Sequence, residues 1–319
     1  MAKLRQEYGL LIAGVALGVL YGLFARIVMG EAATLVSLTF LFIVPFMLGI
    51  VPMMFADEDQ LKAYKNIIFI PWLTVGTFFM TMFLLRKEDM ICLLILAAPF
   101  FILATLGAYL YRVKEINRDK DNNKMLTLSI LLLPFLLAPL EQYISKPSSV
   151  YTIESSVVVN ATPEEVWKNI VEVKTIQESE YNAGVFNKLG VPRPISATVD
   201  KKALGGHRTG NFEGGLKFVE TITQYDLYKK VAFDITVDPK SIRPAIFDQH
   251  VLNGNYFTFV DATYEIVPMK NGQVTLKLSS NYQLSTTVNF YGKFWGDLLL
   301  EDFQDRLLEV IQHRCEELK

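Results

Sequence analysis

Val157-Val158-Val159-Asn160-Ala161-Thr162-Pro163-Glu164-Glu165-Val166-Trp167 carries a strand directly into a helix. Residues 151–159 are rich in β-branched side chains and partly alternate in polarity, the pattern of an extended segment. Thr162 stands where an N-cap belongs, and Pro163 occupies the first helical turn, where its missing amide donor is not needed. Glu165, three residues past the cap, can reach back to close a capping box. Val166, Trp167 and Ile170 then give that helix one apolar side.

Working outward toward the C-terminus, extended segments are predicted at 198–204, 207–212, 216–226, 230–237, 256–267 and 273–284. Gly205-Gly206, Gly214-Gly215, Asp226-Leu227-Tyr228-Lys229 and Lys270-Asn271-Gly272 separate them. Separators this short imply antiparallel neighbours. Residues 238–255 read as an irregular insertion. A long helix is predicted from 290 to 318, with Trp295, Leu299, Phe303, Leu307 and Ile311 recurring on one face. Asp297, Glu301 and Asp305 form an acidic row on another face, read as solvated surface.

Strand, capped helix, antiparallel strands and a long closing helix together resemble the START-like or helix-grip superfamily, also called SRPBCC or polyketide cyclase/dehydrase-like. The resemblance rests on the opening stretch, on Phe218-Val219-Glu220-Thr221-Ile222-Thr223-Gln224-Tyr225-Asp226, and on Phe294-Trp295-Gly296-Asp297 leading into Asp302-Phe303. It covers most of residues 150–319. It implies a curved sheet wrapped around the last helix, with an elongated cavity for an apolar ligand such as a lipid, sterol, isoprenoid or polyketide. Phe218, Ile222, Phe233, Tyr256, Tyr282, Trp295, Leu299 and Phe303 are the candidates to line it, with ordinary core packing as the alternative for each.

Catalytic chemistry needs convergent groups, such as a nucleophile with its base or paired carboxylates. No nucleophile elbow, zincin helix, P-loop or spaced Cys/His cluster is present, so no cofactor or metal is expected. The weak candidates for proton transfer are His207, His250 and Glu220. Cys92 and Cys315, the two cysteines, offer no disulfide framework.

Toward the N-terminus the chain changes character. Averaged over 319 residues it is 51% hydrophobic with a mean hydropathy of +0.28. Residues 1–145 concentrate that character in apolar runs at about 8–29, 33–55, 67–85, 90–111 and 125–143, each close to the ~20 residues needed to cross a bilayer. An all-α bundle of about five transmembrane helices is therefore expected, then a linker at 146–150 and an α+β domain at 151–319. The first run is too long for the apolar core of a signal peptide and is read as a retained helix.

Basic residues tend to stay on the cytoplasmic side. Lys3, Arg5, Lys62, Lys65, Arg112, Lys114, Arg118, Lys120 and Lys124 fall on one side, against Arg26, Arg86 and Lys87 on the other. Five spans would then leave the N-terminus inside and the C-terminal domain outside. Arg26, near a helix end, is expected to snorkel, and the span centres hold no ionisable residue. Gly14, Gly18 and Gly22 line one helical face for close approach, by a neighbouring span or by a second copy of the chain.

A net charge of −2 argues against a nucleic-acid partner. The expected partners are the bilayer and a membrane lipid or other apolar small molecule. Three functions stand open: binding of a lipid-like ligand; a cyclase, dehydratase or hydrolase acting on an apolar substrate; and a protein-interaction module with a filled core.

Overall fold

The computed structural model describes residues 2–30, 37–117, 129–141, 143–270 and 272–316. The chain divides into two compact units, Met1–Lys146 and Pro147–Lys319.

The first unit is helical. It contains α1 (Ala2–Met29), a π-helical turn (Thr39–Ile43) running into α2 (Val44–Met53), α3 (Glu58–Lys62), α4 (Tyr64–Leu84), α5 (Met90–Ile116) and α6 (Leu133–Glu141). Among the described residues three helices are long and apolar enough to cross a membrane: Gly9–Met29, Tyr64–Leu84 and Met90–Ile116. Five were expected. The second and fifth apolar runs instead give Thr39–Met53 and Ser129–Glu141, each only about 20 Å long at the helical rise. Pro45 stands in the first turn of α2, with Val44 between it and the π turn, and Pro52 stands one residue before α2 ends. Residues 33–36, 125–128 and 142 of those two runs lie outside the described residues.

Small residues let these helices touch. A Cβ on Gly49 would sit 1.9 Å from the Ala104 carbonyl oxygen, and one on Gly107 would sit 2.2 Å from that of Phe46, so α2 and α5 meet backbone to backbone. The Gly14, Gly18 and Gly22 face is filled from within the chain by Pro52 and Phe55, by Thr74, and by Phe78 with Leu48. Arg26, expected to snorkel, donates instead from Nε and Nη2 to Glu88 Oε1 at 3.1 and 2.9 Å, and from Nη1 to the Gly30 carbonyl. An ion pair satisfies this guanidinium where the sequence alone suggests a solvated head.

The second unit is a seven-stranded antiparallel sheet with a long helix across it. Its strands are β1 (Ser148–Val159), β2 (Pro194–Val199), β3 (His207–Phe212), β4 (Lys217–Asp226), β5 (Lys230–Val237), β6 (Phe257–Pro268) and β7 (Val274–Ser285), in the order β1-β7-β6-β5-β4-β3-β2. Chain-order hairpins build β2 through β7, and β1 returns to pair with β7 from Ser148↔Ser285 to Val159↔Val274. Register shifts at Pro194/Ser196, Ile222/Gln224 and Phe259/Asp261 bend the strands and raise the local twist.

Between β1 and β2 lie α7 (Pro163–Val171) and the short α8 (Val185–Lys188); α9 (Ile246–Leu252) follows β5, and α10 (Asn289–Glu316) closes the chain. The capping box at α7 forms in both directions: Glu165 N donates to Thr162 Oγ1, and Thr162 N donates to Glu165 Oε2.

Two expectations shift. The strand predicted at 198–204 is β2, four residues earlier at its start, because Asp200–Gly206 is a loop in which Gly205 takes φ +77°. The insertion at 238–255 is not irregular throughout: it holds a short 3-10 turn (Pro239–Ser241) and α9, and Arg243 donates to both carboxylate oxygens of Asp248 at 2.6 and 2.7 Å. Residues 317–318 of the predicted last helix lie outside the described residues.

The sealed core of this unit gathers α7, the sheet and the second half of α10. Val166, Trp167, Ile170, Ile222, Phe233, Tyr264, Leu276, Leu307 and Ile311 belong to one buried cluster.

Candidate functional site

The site follows from how unevenly α10 is buried. From Gln304 onward the helix seats Gln304, Leu307, Leu308, Val310, Ile311 and Cys315 fully. Between Asn289 and Phe303 no residue is fully buried, although Trp295, Leu299, Leu300 and Phe303 are apolar. The backbone of α10 runs close along β1, β7 and α7. The first half of the helix meets β7 closely at Gly292 and Gly296, where an added Cβ would sit 3.0 Å from Leu284 and from Tyr282, while its apolar side chains stay only partly buried.

A run of aromatic side chains links this partly buried half to the sheet. Phe303 of α10 stacks on Phe212 at the end of β3, with centroids 5.9 Å apart. Phe212 meets Phe218 of β4 at 4.9 Å, Phe218 meets Phe259 of β6 at 5.2 Å, and Phe259 meets Phe257 at 4.9 Å. Phe257 stacks on Tyr282 of β7 at 5.5 Å, and the Tyr282 hydroxyl donates to Asp297 of α10 at 2.7 Å. The run thus leaves the helix at Phe303 and rejoins it at Asp297, six residues or about 9 Å away along the axis. Period-two alternation puts Phe212 on the same face as Gly210 and Arg208, and Phe218 on the same face as Glu220 and Ile222.

Polar groups lie deeper on that face. Arg208 and Glu220 stand directly opposite each other on β3 and β4, and Arg208 Nη1 donates to Glu220 Oε2. The guanidinium also lies 4.9 Å from the Phe233 ring centroid and against the Tyr264 hydroxyl. Burial works against the guanidinium charge, but Glu220 and Tyr264 outweigh it and raise the Arg208 pKa further. Burial, only partly offset by Arg208, pushes the Tyr264 phenol up to about 12. Gly210 keeps this space clear, since a Cβ there would sit 3.0 Å from Glu220 Oε1. From the helix side Gln304, fully buried, donates from Nε2 to Ser280 Oγ at 2.9 Å.

Of the residues singled out by sequence, Phe218, Tyr282 and Phe303 lie in the aromatic run, and Leu299 is partly buried on α10. Ile222 and Phe233 belong to the sealed cluster. Trp295 is half-buried on α10, and Tyr256 lies just before β6, where its carbonyl accepts from Ser285 N at 2.9 Å. His207 and Glu220 point to opposite faces of the sheet, and His250 is on α9, so the three do not form a common centre on the strands. Asp297 departs from the solvated reading, because it accepts from Tyr282 and pairs with Lys293, while Glu301 and Asp305 are exposed.

Sequence reading missed Phe212, Phe257, Phe259, Tyr264 and Gln304. Alternation along β3 opposite Phe218-Val219-Glu220 carries the signal for Phe212. The Phe259/Asp261 shift hides it on β6.

No family model matches the chain, and no curated protein matches it. Among solved structures it is similar to an uncharacterised protein from Bacillus thuringiensis at 13% identity, over 51% of this chain and 97% of that one, with a TM-score of 0.34. It is also similar to truncated norcoclaurine synthase from Thalictrum flavum at 14% identity, over 55% and 98%, TM-score 0.35. A Thermus thermophilus protein aligns at 15% identity, over 53% and 99%, TM-score 0.35. The helix-grip description rests on the sheet order and on α10 themselves.

Proposed function

We propose that the second unit binds a hydrophobic, lipid-like molecule along the partly buried first half of α10, and that the apolar helices hold this unit at a membrane. One observation carries the reading: Trp295, Leu299, Leu300 and Phe303 in the first half of α10 are apolar yet only partly buried, and Phe303 stacks on Phe212 in the aromatic run of the sheet. Apolar surface left in this state gains about 25 cal/mol per Å² when a ligand covers it. The membrane is the nearest reservoir of such a ligand.

The test is native mass spectrometry of the full chain, extracted gently from membranes. A bound apolar molecule is expected, and Leu299→Trp, which adds bulk there, lowers its occupancy. Protein that carries no lipid and takes none up after delipidation rules the reading out.

A further inference from the structure

The first half of α10 has two unlike sides. Gly292 and Gly296 meet β7, where an added Cβ would sit 3.0 Å from Leu284 and from Tyr282. Two residues away, and so about 160° around the helix, stand Phe290, Phe294 and Leu298. At four-residue spacing they form one ridge, 67%, 55% and 38% exposed. A contiguous apolar ridge turned to solvent marks a docking face.

The place of the ridge in the chain names its occupant. Asn289, just before Phe290, donates from Nδ2 to the Pro147 carbonyl at 2.7 Å, and the hydroxyls of Ser285 and Ser148 meet at 3.2 Å. The ridge therefore starts beside the residue that opens the second unit. Pro147 comes six residues after Glu141, the end of the apolar helix α6. Extended chain spans that gap in at most about 21 Å. Charge agrees with a lipid surface: residues 143–153 and 286–296 contain no Asp or Glu, and their only cations are Lys146, which is exposed, and Lys293, which pairs with Asp297. No carboxylate from these segments repels an anionic leaflet.

We propose that Phe290, Phe294 and Leu298 lie in the interfacial layer of the bilayer that holds the chain. The inference rests on the membrane part of the reading above and adds the face by which the C-terminal unit meets lipid; it requires no bound ligand. The apolar side of a helix lying on a membrane sinks about 5–10 Å into the boundary between headgroups and acyl chains. Val267 and Met269 are also exposed, at 39% and 42%, but belong to the opposite end of the sheet. Pro268 pairs with Val274, which pairs with Val159, eleven residues along β1 from Ser148 and so about 36 Å away.

The experiment makes Phe290→Cys, Phe294→Cys, Leu298→Cys, Val267→Cys and Met269→Cys singly in the full chain and labels each with an environment-sensitive fluorophore. The proteins are reconstituted in nanodiscs whose lipids carry a nitroxide on the acyl chain. Cys92 and Cys315 are buried, and the parent chain sets the labelling background. Labels at 290, 294 and 298 are expected to shift to the blue and to be quenched, while those at 267 and 269 stay water-like and unquenched. Phe290→Asp combined with Phe294→Asp removes the quenching at 298, and unfolding midpoints show that each variant stays folded. A blue shift without quenching means that protein, such as a second copy of the chain, covers the ridge, and overturns the inference. Water-like emission at all five positions, equal quenching at all five, or quenching at 298 that survives both aspartates overturns it too. In each of these cases the membrane reading stands. Release of the full chain from membranes by alkaline carbonate overturns that reading itself.

Discussion

The ring of Phe303 on α10 lies 5.9 Å from that of Phe212 on β3, at an interplanar angle of 30°. This stacked pair joins the helix to the far side of the sheet at the point where α10 passes from half-buried to fully buried. Phe303→Ala should lower the stability of the C-terminal unit by about 2 kcal/mol, short of the loss for a fully buried ring. Pairing it with Phe212→Ala should show a coupling of about 1 kcal/mol. Chemical denaturation of the full chain in detergent, read across the four proteins of the cycle, checks both figures.

Arg208 and Glu220 are worth more intact than broken. Arg208→Met leaves a buried carboxylate without its cation and should cost about 3–5 kcal/mol, while adding Glu220→Leu should restore most of that loss. Unfolding midpoints of the single and double variants decide the point, and equal losses in both would show that the pair does not act as a unit.

Glu180 predicts an acid limb of the stability profile. Arg314 donates from Nε and Nη2 to its two carboxylate oxygens at 2.7 and 2.9 Å. These bonds, opposed by partial burial and aided by the Gln177 amide, hold its pKa below the ordinary value of 4.5. The unfolded chain therefore takes up this proton first as pH falls. The contribution is complete above about pH 4.5 and disappears as pH drops through the lowered folded value. Because the pair is partly solvated it should amount to under about 1 kcal/mol, and Glu180→Gln should flatten that part of the stability-against-pH curve.

Thr162 tests the capping box. Thr162→Ala should destabilise the unit by about 1 kcal/mol and Thr162→Ser by much less, since the serine hydroxyl still accepts from Glu165 N. Thermal unfolding of the two variants provides the comparison.

In the first unit, Gly49 decides how closely α2 meets α5. Gly49→Val forces a side chain into the Ala104 carbonyl, whereas Gly76 has nothing within 4 Å of a Cβ. Gly49→Val should sharply reduce the yield of folded, detergent-stable protein, and Gly76→Val, an equally large change, should leave it near the parent level. Size-exclusion profiles of the two preparations make the test.

Local chemistry was legible in the sequence. The cap at Thr162 and Pro163, the turn between β4 and β5 and the four-residue spacing from Trp295 to Ile311 each depend on residues close together in the chain, where propensity and hydrogen bonding act directly. The apolar runs showed where long helices lie, and among the described residues the second and fifth give the shorter helices Thr39–Met53 and Ser129–Glu141. Prolines and a π turn act on backbone geometry, which a hydropathy window does not register.

Sequence by itself therefore determined the main strands of the second unit, its helices α7 and α10, and the apolar character of the first unit. Only the tertiary structure decided that α10 is fully buried along its second half and only partly along its first. It also brought Arg208 opposite Glu220, and buried Gln304 with one oxygen unmet. Those outcomes depend on how the strands pair and where the helix lands: Arg208 meets Glu220 through the β3–β4 register, and Gln304 reaches Ser280 on β7, contacts between separate elements that no local pattern encodes.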